Sequence, residues 1–135
     1  MTFTGPIEDR IAIRELIESY SDAVFRRDAE AWGALWAKDG VWTLMGQEVR
    51  GRDTIVGAWK QAMSAFEIAA FFAQPGALSV EGSRARGRCW THETLRTTDG
   101  GTRRIVGAYE DTFVKDAGVW LFASRSYAIL IDQNS

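Results

Sequence analysis

The stretch Arg84-Ala85-Arg86-Gly87-Arg88-Cys89-Trp90-Thr91-His92-Glu93-Thr94-Leu95-Arg96 decides the fold. In an extended chain Ala85, Gly87, Cys89, Thr91, Glu93 and Leu95 share one face. Arg84, Arg86, Arg88, Trp90, His92 and Thr94 share the other. So long an alternation describes a strand with one face packed inward and one turned out, as antiparallel sheets allow. Glu81-Gly82-Ser83 before it reads as a turn, and Asp99-Gly100-Gly101 after it as a hairpin turn. Beyond lie two more strands, Arg104 to Lys115 and Val119 to Ile131, joined at Asp116-Ala117-Gly118. On the other side Phe71 to Val80 reads as a strand broken by Pro75-Gly76, which marks a bend or a sheet edge.

The first half has a different period. Ile7, Ile11, Ile13, Leu16, Ile17, Tyr20, Val24 and Phe25 are spaced as on a helix that begins at Pro6 and ends at Arg26-Arg27. Asp28 suits the N-cap of a second, shorter helix carrying Trp32, Leu35 and Trp36 on one stripe. Asp39-Gly40 breaks it, and Val41 to Met45 reads as a short strand. Gly46 and Gly51 bracket another extended piece. Arg52-Asp53-Thr54 then leads into a third helix bearing Ile55, Trp59, Met63 and Phe66. Helices followed by an antiparallel meander make an α+β layout in one domain, residues 1–135, with its core at about 7–131.

Composition narrows the function. The chain carries 16 Lys plus Arg against 18 Asp plus Glu, a net charge of −2, which argues against a dedicated nucleic-acid binder. One His (His92) and one Cys (Cys89) cannot build the usual zinc site, and one Cys forms no internal disulfide. The expectation is therefore no metal, a reducing, cytoplasmic setting and, with no apolar run long enough, no membrane span. Six Trp, seven Phe and three Tyr supply an aromatic interior.

The order of several short patterns resembles the nuclear-transport-factor-2-like superfamily, and within it the SnoaL-like (polyketide-cyclase-like) group. The carriers are Ile13-x-x-Leu16-x-x-x-Tyr20, Trp36-x-x-Asp39-Gly40-x-Trp42 and Gly51 before the third helix. Ala85-x-Gly87, Tyr109-x-Asp111 and Gly118-x-Trp120-x-Phe122-x-x-Arg125 complete them. The resemblance implies a cone of curved antiparallel sheet enclosing a cavity, closed by three N-terminal helices. It also implies a homodimer packed through the outer sheet face. Fold alone does not fix the reaction.

The dehydratase members of that superfamily use an Asp on the first helix and a His after the third. Those positions fall here on Phe25 and on Phe71 or its immediate neighbours, and phenyl rings move no protons. The ketosteroid-isomerase-like members use a Tyr and a neutral Asp as oxyanion donors with an Asp base. Tyr20 and Asp111 match the donors, whereas the base position falls on Leu44. Asp111 also lies within reach of Arg125 if the 116–118 turn is tight, so an ion pair competes with the donor role. Tight closure sets residue 109 opposite 125.

Glu93 shares the inward parity of Cys89. A carboxylate in an aromatic cavity has its pKa raised and can act as a general base, although a solvated or Arg-paired Glu93 at the cone's open end is the alternative. His92 falls on the outer face. The Arg84, Arg86, Arg88 stripe reads as interface or solvated surface. Trp32 and Trp36 are expected in the core, with Trp120 on the parity opposite Arg125.

The resulting expectation is a cavity for a cyclic or polycyclic carbonyl compound, with isomerisation or cyclisation as the chemistry and no cofactor. Tyr20, Glu93 and Asp111 are the candidate catalytic residues. Trp42, Trp59, Met63, Phe66, Phe71, Cys89, Tyr109 and Arg125 are the candidate ligand-binding residues. The competing expectation is a non-catalytic small-molecule binder or assembly subunit of the same fold, including one like the small subunit of a ring-hydroxylating dioxygenase.

Overall fold

A computed structural model describes residues 2–135. Its elements are α1 (Ile7–Arg26), α2 (Ala29–Gly33), β1 (Trp36–Leu44), β2 (Gln47–Arg50) and α3 (Arg52–Met63). They continue with β3 (Phe66–Glu81), β4 (Arg84–Thr97), β5 (Thr102–Asp116) and β6 (Val119–Asn134). The strands form one curved, unclosed sheet in the order β2-β1-β6-β5-β4-β3. Every neighbouring pair is antiparallel except β1–β6, which is parallel because the chain reaches β6 only after crossing the whole meander. The three helices cover the concave face, so this is the expected α+β cone.

Local signals account for the element ends. Arg27 closes α1 in the left-handed region, at φ 55°. Its guanidinium donates to the carbonyls of Met63, Phe66 and Glu67, tying the end of α1 to the connection between α3 and β3. The Asp28 carboxylate accepts from the Ala31 amide at 3.0 Å and caps α2. In β4 the alternation is realised: Ala85, Gly87, Cys89 and Thr91 are buried between exposed neighbours, and Leu95 is buried on the same face. β3 runs unbroken through Pro75-Gly76, but as the edge strand and with a register shift between Pro75 and Leu78. Both effects follow from the ring nitrogen that cannot donate to a ladder.

Several expectations are corrected. α2 stops at Gly33, and Trp36 opens β1 instead of extending a helical stripe. Phe66 likewise starts β3 and does not continue α3. Both rings still reach the interior, because a strand beginning beside a helix end can turn its first side chain inward. In β6 a bulge at Ala123, between the Phe113↔Phe122 and Thr112↔Ser124 pairs, resets the alternation. Trp120, Phe122, Arg125 and Tyr127 are consequently all buried, whereas simple parity separates Trp120 from Arg125. The same bulge sets Asp111 directly opposite Arg125, and Tyr109 opposite Tyr127.

The core beneath the helices is aromatic. Trp32 stacks on Trp59 with centroids 4.7 Å apart and planes 12° from parallel, and Trp42 meets Trp32 edge-on at 5.4 Å. Trp36 and Tyr20 both pack on Phe122.

Candidate active site in the cone

A cavity of about 230 Å³ opens between the C-terminal half of α1, α3 and the far ends of β3 to β6. Seven of its walls were expected from the sequence: Tyr20, Trp42, Trp59, Met63, Phe66, Phe71 and Tyr109. Glu93 is there too, the single carboxylate among the lining residues, and Arg103 stands with it. Asp111, Arg125 and Cys89, also expected at the ligand, do not line the cavity and lie in the packed interior.

Glu93 owes its place to β4 parity, and cross-strand neighbours Phe71 and Ile105 flank it. The Tyr127 hydroxyl donates to its Oε2 at 2.9 Å, and Thr91 Oγ1 lies 3.3 Å from the same hydroxyl. Burial pushes the Glu93 carboxyl above the usual range, with the Tyr127 hydrogen bond and the Arg103 charge pulling the other way. Arg103 is itself held by Asp132 through two contacts of 2.9 and 2.8 Å, so it screens Glu93 without neutralising it. The carboxylate is thus fixed at one oxygen and available at the other.

Tyr127 was not singled out in the sequence, although it sits two residues beyond Arg125 and so shares its face. Its position depends on Gly107 in β5. A Cβ at residue 107 would overlap the Tyr127 ring and hydroxyl, so only glycine leaves room for the ring to lie flat across the strand.

Tyr20 and Tyr109 supply the second polar feature. Their hydroxyls are 3.4 Å apart, and Trp42 Nε1 donates to Tyr109 at 3.4 Å. Two hydroxyls that share one hydrogen bond keep one O–H free for a ligand. Burial raises both phenols above their ordinary range, Tyr109 well above it, so both remain protonated donors.

Beneath them Arg125 and Asp111 form a bidentate pair at 2.7 and 3.1 Å, with side chains 0% and 1% exposed. The guanidinium carbon is 3.8 Å from the Tyr109 ring centre, 4.4 Å from Phe122 and 4.5 Å from Tyr20. Burial raises the Asp111 carboxyl while Arg125 opposes the rise, and Asp111 in turn holds Arg125 firmly charged. A carboxylate with both oxygens on a guanidinium has no proton to donate. Of the two readings of Asp111, the ion pair is the one present, and it supports the two tyrosines from below.

The remaining sequence candidates are placed as follows. Cys89 is fully buried and its thiol is pushed up by burial, which suppresses the thiolate. His92 is exposed on the convex face. Phe25 does not fill the cavity. It is 45% exposed and meets Phe72 edge-on at 5.2 Å outside the cone, while Phe71 packs inside against Tyr20. Among the described residues no three His, Cys, Asp or Glu side chains cluster as a metal site, and no helix is long and apolar enough to cross a membrane.

The profile of the SnoaL-like domain family matches residues 6–126. The chain belongs to the SnoaL-like family. Solved structures agree on the fold. A candidate aromatic ring hydroxylase from Novosphingobium aromaticivorans superposes with a TM-score of 0.90 at 22% identity, covering 98% of this chain and 96% of that one. A hexachlorocyclohexane dehydrochlorinase, LinA of type 2, gives 0.86 at 16% identity over 96% and 90%. A candidate scytalone dehydratase from the same Novosphingobium species gives 0.85 at 20% over 96% and 89%. No curated protein sequence matches significantly. Within this SnoaL-like cone the polar side chains lining the cavity are one carboxylate, three phenols, two indoles and one guanidinium.

Proposed function

We propose that this SnoaL-like protein is a cofactor-independent acid/base enzyme acting on a cyclic, largely apolar carbonyl compound, by isomerisation or cyclisation. The observation that carries the reading is Glu93, a carboxylate held by Tyr127 in a largely apolar cavity, with its pKa raised by burial. A raised pKa brings the base closer to the weakly acidic C–H it must deprotonate. In the proposed cycle the free Glu93 oxygen takes a proton from the carbon next to the carbonyl. The C–H electron pair moves into the new C=C bond, and the carbonyl oxygen becomes an enolate. The free O–H of the Tyr20–Tyr109 pair donates to that oxygen. The proton then returns from Glu93 to another carbon, so the sequence balances with no added reagent. Dehydrochlorination and dehydration, the activities named for two structural neighbours, likewise need a proton acceptor, and Glu93 is the group here that could serve.

The proposed partner is a second copy of the chain, packed through the convex sheet face. Phe72 and Trp90 stand 58% and 47% exposed there, with Ala108 and Ala128 beside Trp90 in register. Trp90→Glu should then convert a dimer to a monomer in sedimentation.

The chemical test needs no natural substrate. In deuterated water the protein should accelerate exchange of the protons next to the carbonyl of 2-tetralone, and Glu93→Gln should lower that rate about a hundredfold with the fold intact. Equal rates for wild type and Glu93→Gln would remove Glu93 as the base. Saturable tetralone binding without any exchange would assign the cavity to a non-catalytic binder instead.

A further inference from the structure

Glu93 and Asp132 stand on either side of one guanidinium. Ile105 in β5 pairs with Glu93 of β4 on one side and with Asp132 of β6 on the other. Arg103 lies two residues before Ile105, so it shares that inward face and is the diagonal neighbour of both carboxylates. Diagonal neighbours are about 7–8 Å apart at Cα, within the reach of an arginine side chain. The guanidinium therefore has a carboxylate on each flanking strand and has taken only one of them. Its Nε and Nη2 donate to the two Asp132 oxygens at 2.9 and 2.8 Å, whereas Glu93 accepts from Tyr127 at 2.9 Å.

The pair sits at the rim of the cavity, with both side chains 35% exposed, and an ion pair that open to water holds its members only weakly. Among the described residues Arg103 is the one cation lining the cavity with Glu93. The other titratable groups there are Tyr20 from α1, Tyr109 from β5 and Tyr127 from β6, while α3, β1 and β3 bring no charged side chain to the lining. Burial raises all three phenols, so none of them is charged where a carboxylate titrates. The Asp132 hydrogen bonds raise the Arg103 pKa most, burial opposes them, and the Glu93 charge adds a smaller rise.

A guanidinium released by Asp132 has Glu93 as the next carboxylate on its face. Hydrogen bonds from it would occupy the Glu93 oxygen that Tyr127 leaves open and would lower the basicity of the group. We propose that Asp132 is a positioning residue: it holds Arg103 at the rim and so keeps that cation from closing on Glu93. Its bearing on catalysis rests on Glu93 being the base.

The test follows the Glu93 carboxyl through pH by NMR of carboxyl-labelled protein, beside the exchange of 2-tetralone. In Asp132→Asn the freed Arg103 should lower the Glu93 midpoint by about one unit or more and the limiting exchange rate about tenfold. Asp132→Glu can still hold the guanidinium and should keep the midpoint near that of the wild type. Adding Arg103→Gln to Asp132→Asn should raise both midpoint and rate again. These changes lie at the exposed rim, so the fold should be kept. A Glu93 midpoint that does not fall in Asp132→Asn would overturn the proposal. So would a double variant as low as the single one, because the fall would then not pass through Arg103. A midpoint that falls and recovers while exchange stays constant would uphold the hold on Arg103 and overturn Glu93 as the base.

Discussion

Glu93 and Asp111 are carboxylates on adjacent strands, both on the concave side of one sheet, yet their surroundings give them different tasks. Asp111 meets a guanidinium with both oxygens, deep in the interior, and is spent on holding Arg125 against three aromatic rings. Glu93 meets one phenol with one oxygen, at the wall of a cavity, and keeps the other oxygen open. Burial raises the carboxyl in both cases, so burial alone does not make a base. The partner decides. A cation neutralises a carboxylate, whereas a hydroxyl orients it and leaves its basicity largely in place.

The strongest way to break this contrast is to remove Arg125. Arg125→Met leaves Asp111 buried and unpaired and should cost about 3–5 kcal/mol in urea unfolding. Replacing both partners, Asp111→Leu with Arg125→Met, should recover most of that loss, because no stranded charge remains. A double variant as unstable as the single one would show that the arginine acts through its aromatic contacts instead. Glu93→Gln should behave oppositely, losing exchange activity as described while unfolding no more easily than wild type at neutral pH.

A smaller effect is expected where the scaffold supports Glu93. Gly107→Ala intrudes on Tyr127 and should cost about 1–3 kcal/mol through overpacking, with a fall in exchange rate as Glu93 loses its anchor. Unchanged activity in that variant would separate Tyr127 from the chemistry. Tyr127→Phe removes a hydrogen bond that favours the charged carboxylate, so the Glu93 pKa should rise further. The rate rises with pH as Glu93 ionises, and its midpoint should therefore move to higher pH in the variant.

The smallest effect is on stability against pH. The folded-state pKa of Glu93 is raised above its unfolded value. Between the two values the folded chain holds the extra proton, so stability falls as pH increases through that window. Glu93→Gln lacks this loss and should gain on wild type from acid to neutral pH in parallel urea titrations. A constant difference across that range would mean that Glu93 is as well solvated folded as unfolded.

Much of the cone was legible along the chain. Strict alternation in 84–96 left one way to bury the strand, and the glycine-bearing turns at 82, 100 and 118 fixed its neighbours. Asp28 announced its helix through a capping carboxylate. The ends of the short elements were less legible. Trp36 and Phe66 continue helical spacings but belong to strands, since an aromatic ring near a boundary is buried by either geometry. The bulge at Ala123 left no signal in residue type, and with it went the parity of Trp120 and the register of Asp111.

The candidate site divides in the same way. Strand parity sufficed to nominate Glu93, because a period of two assigns a face without knowledge of the partner strand, whereas Tyr20 was nominated by the family resemblance and the aromatic walls by their bulk. The sequence could also nominate Arg125 for Asp111 as one of two readings. Choosing between them needed the β5–β6 register, since a carboxylate's protonation follows from which group stands within hydrogen-bond distance. Tyr127 over Gly107 and the exposure of Phe25 depend on contacts between segments far apart in the chain. By itself the sequence determined which residues could do chemistry and on which face they lie. Only the tertiary structure decided their partners, because hydrogen bonds and burial act across space and not along the backbone.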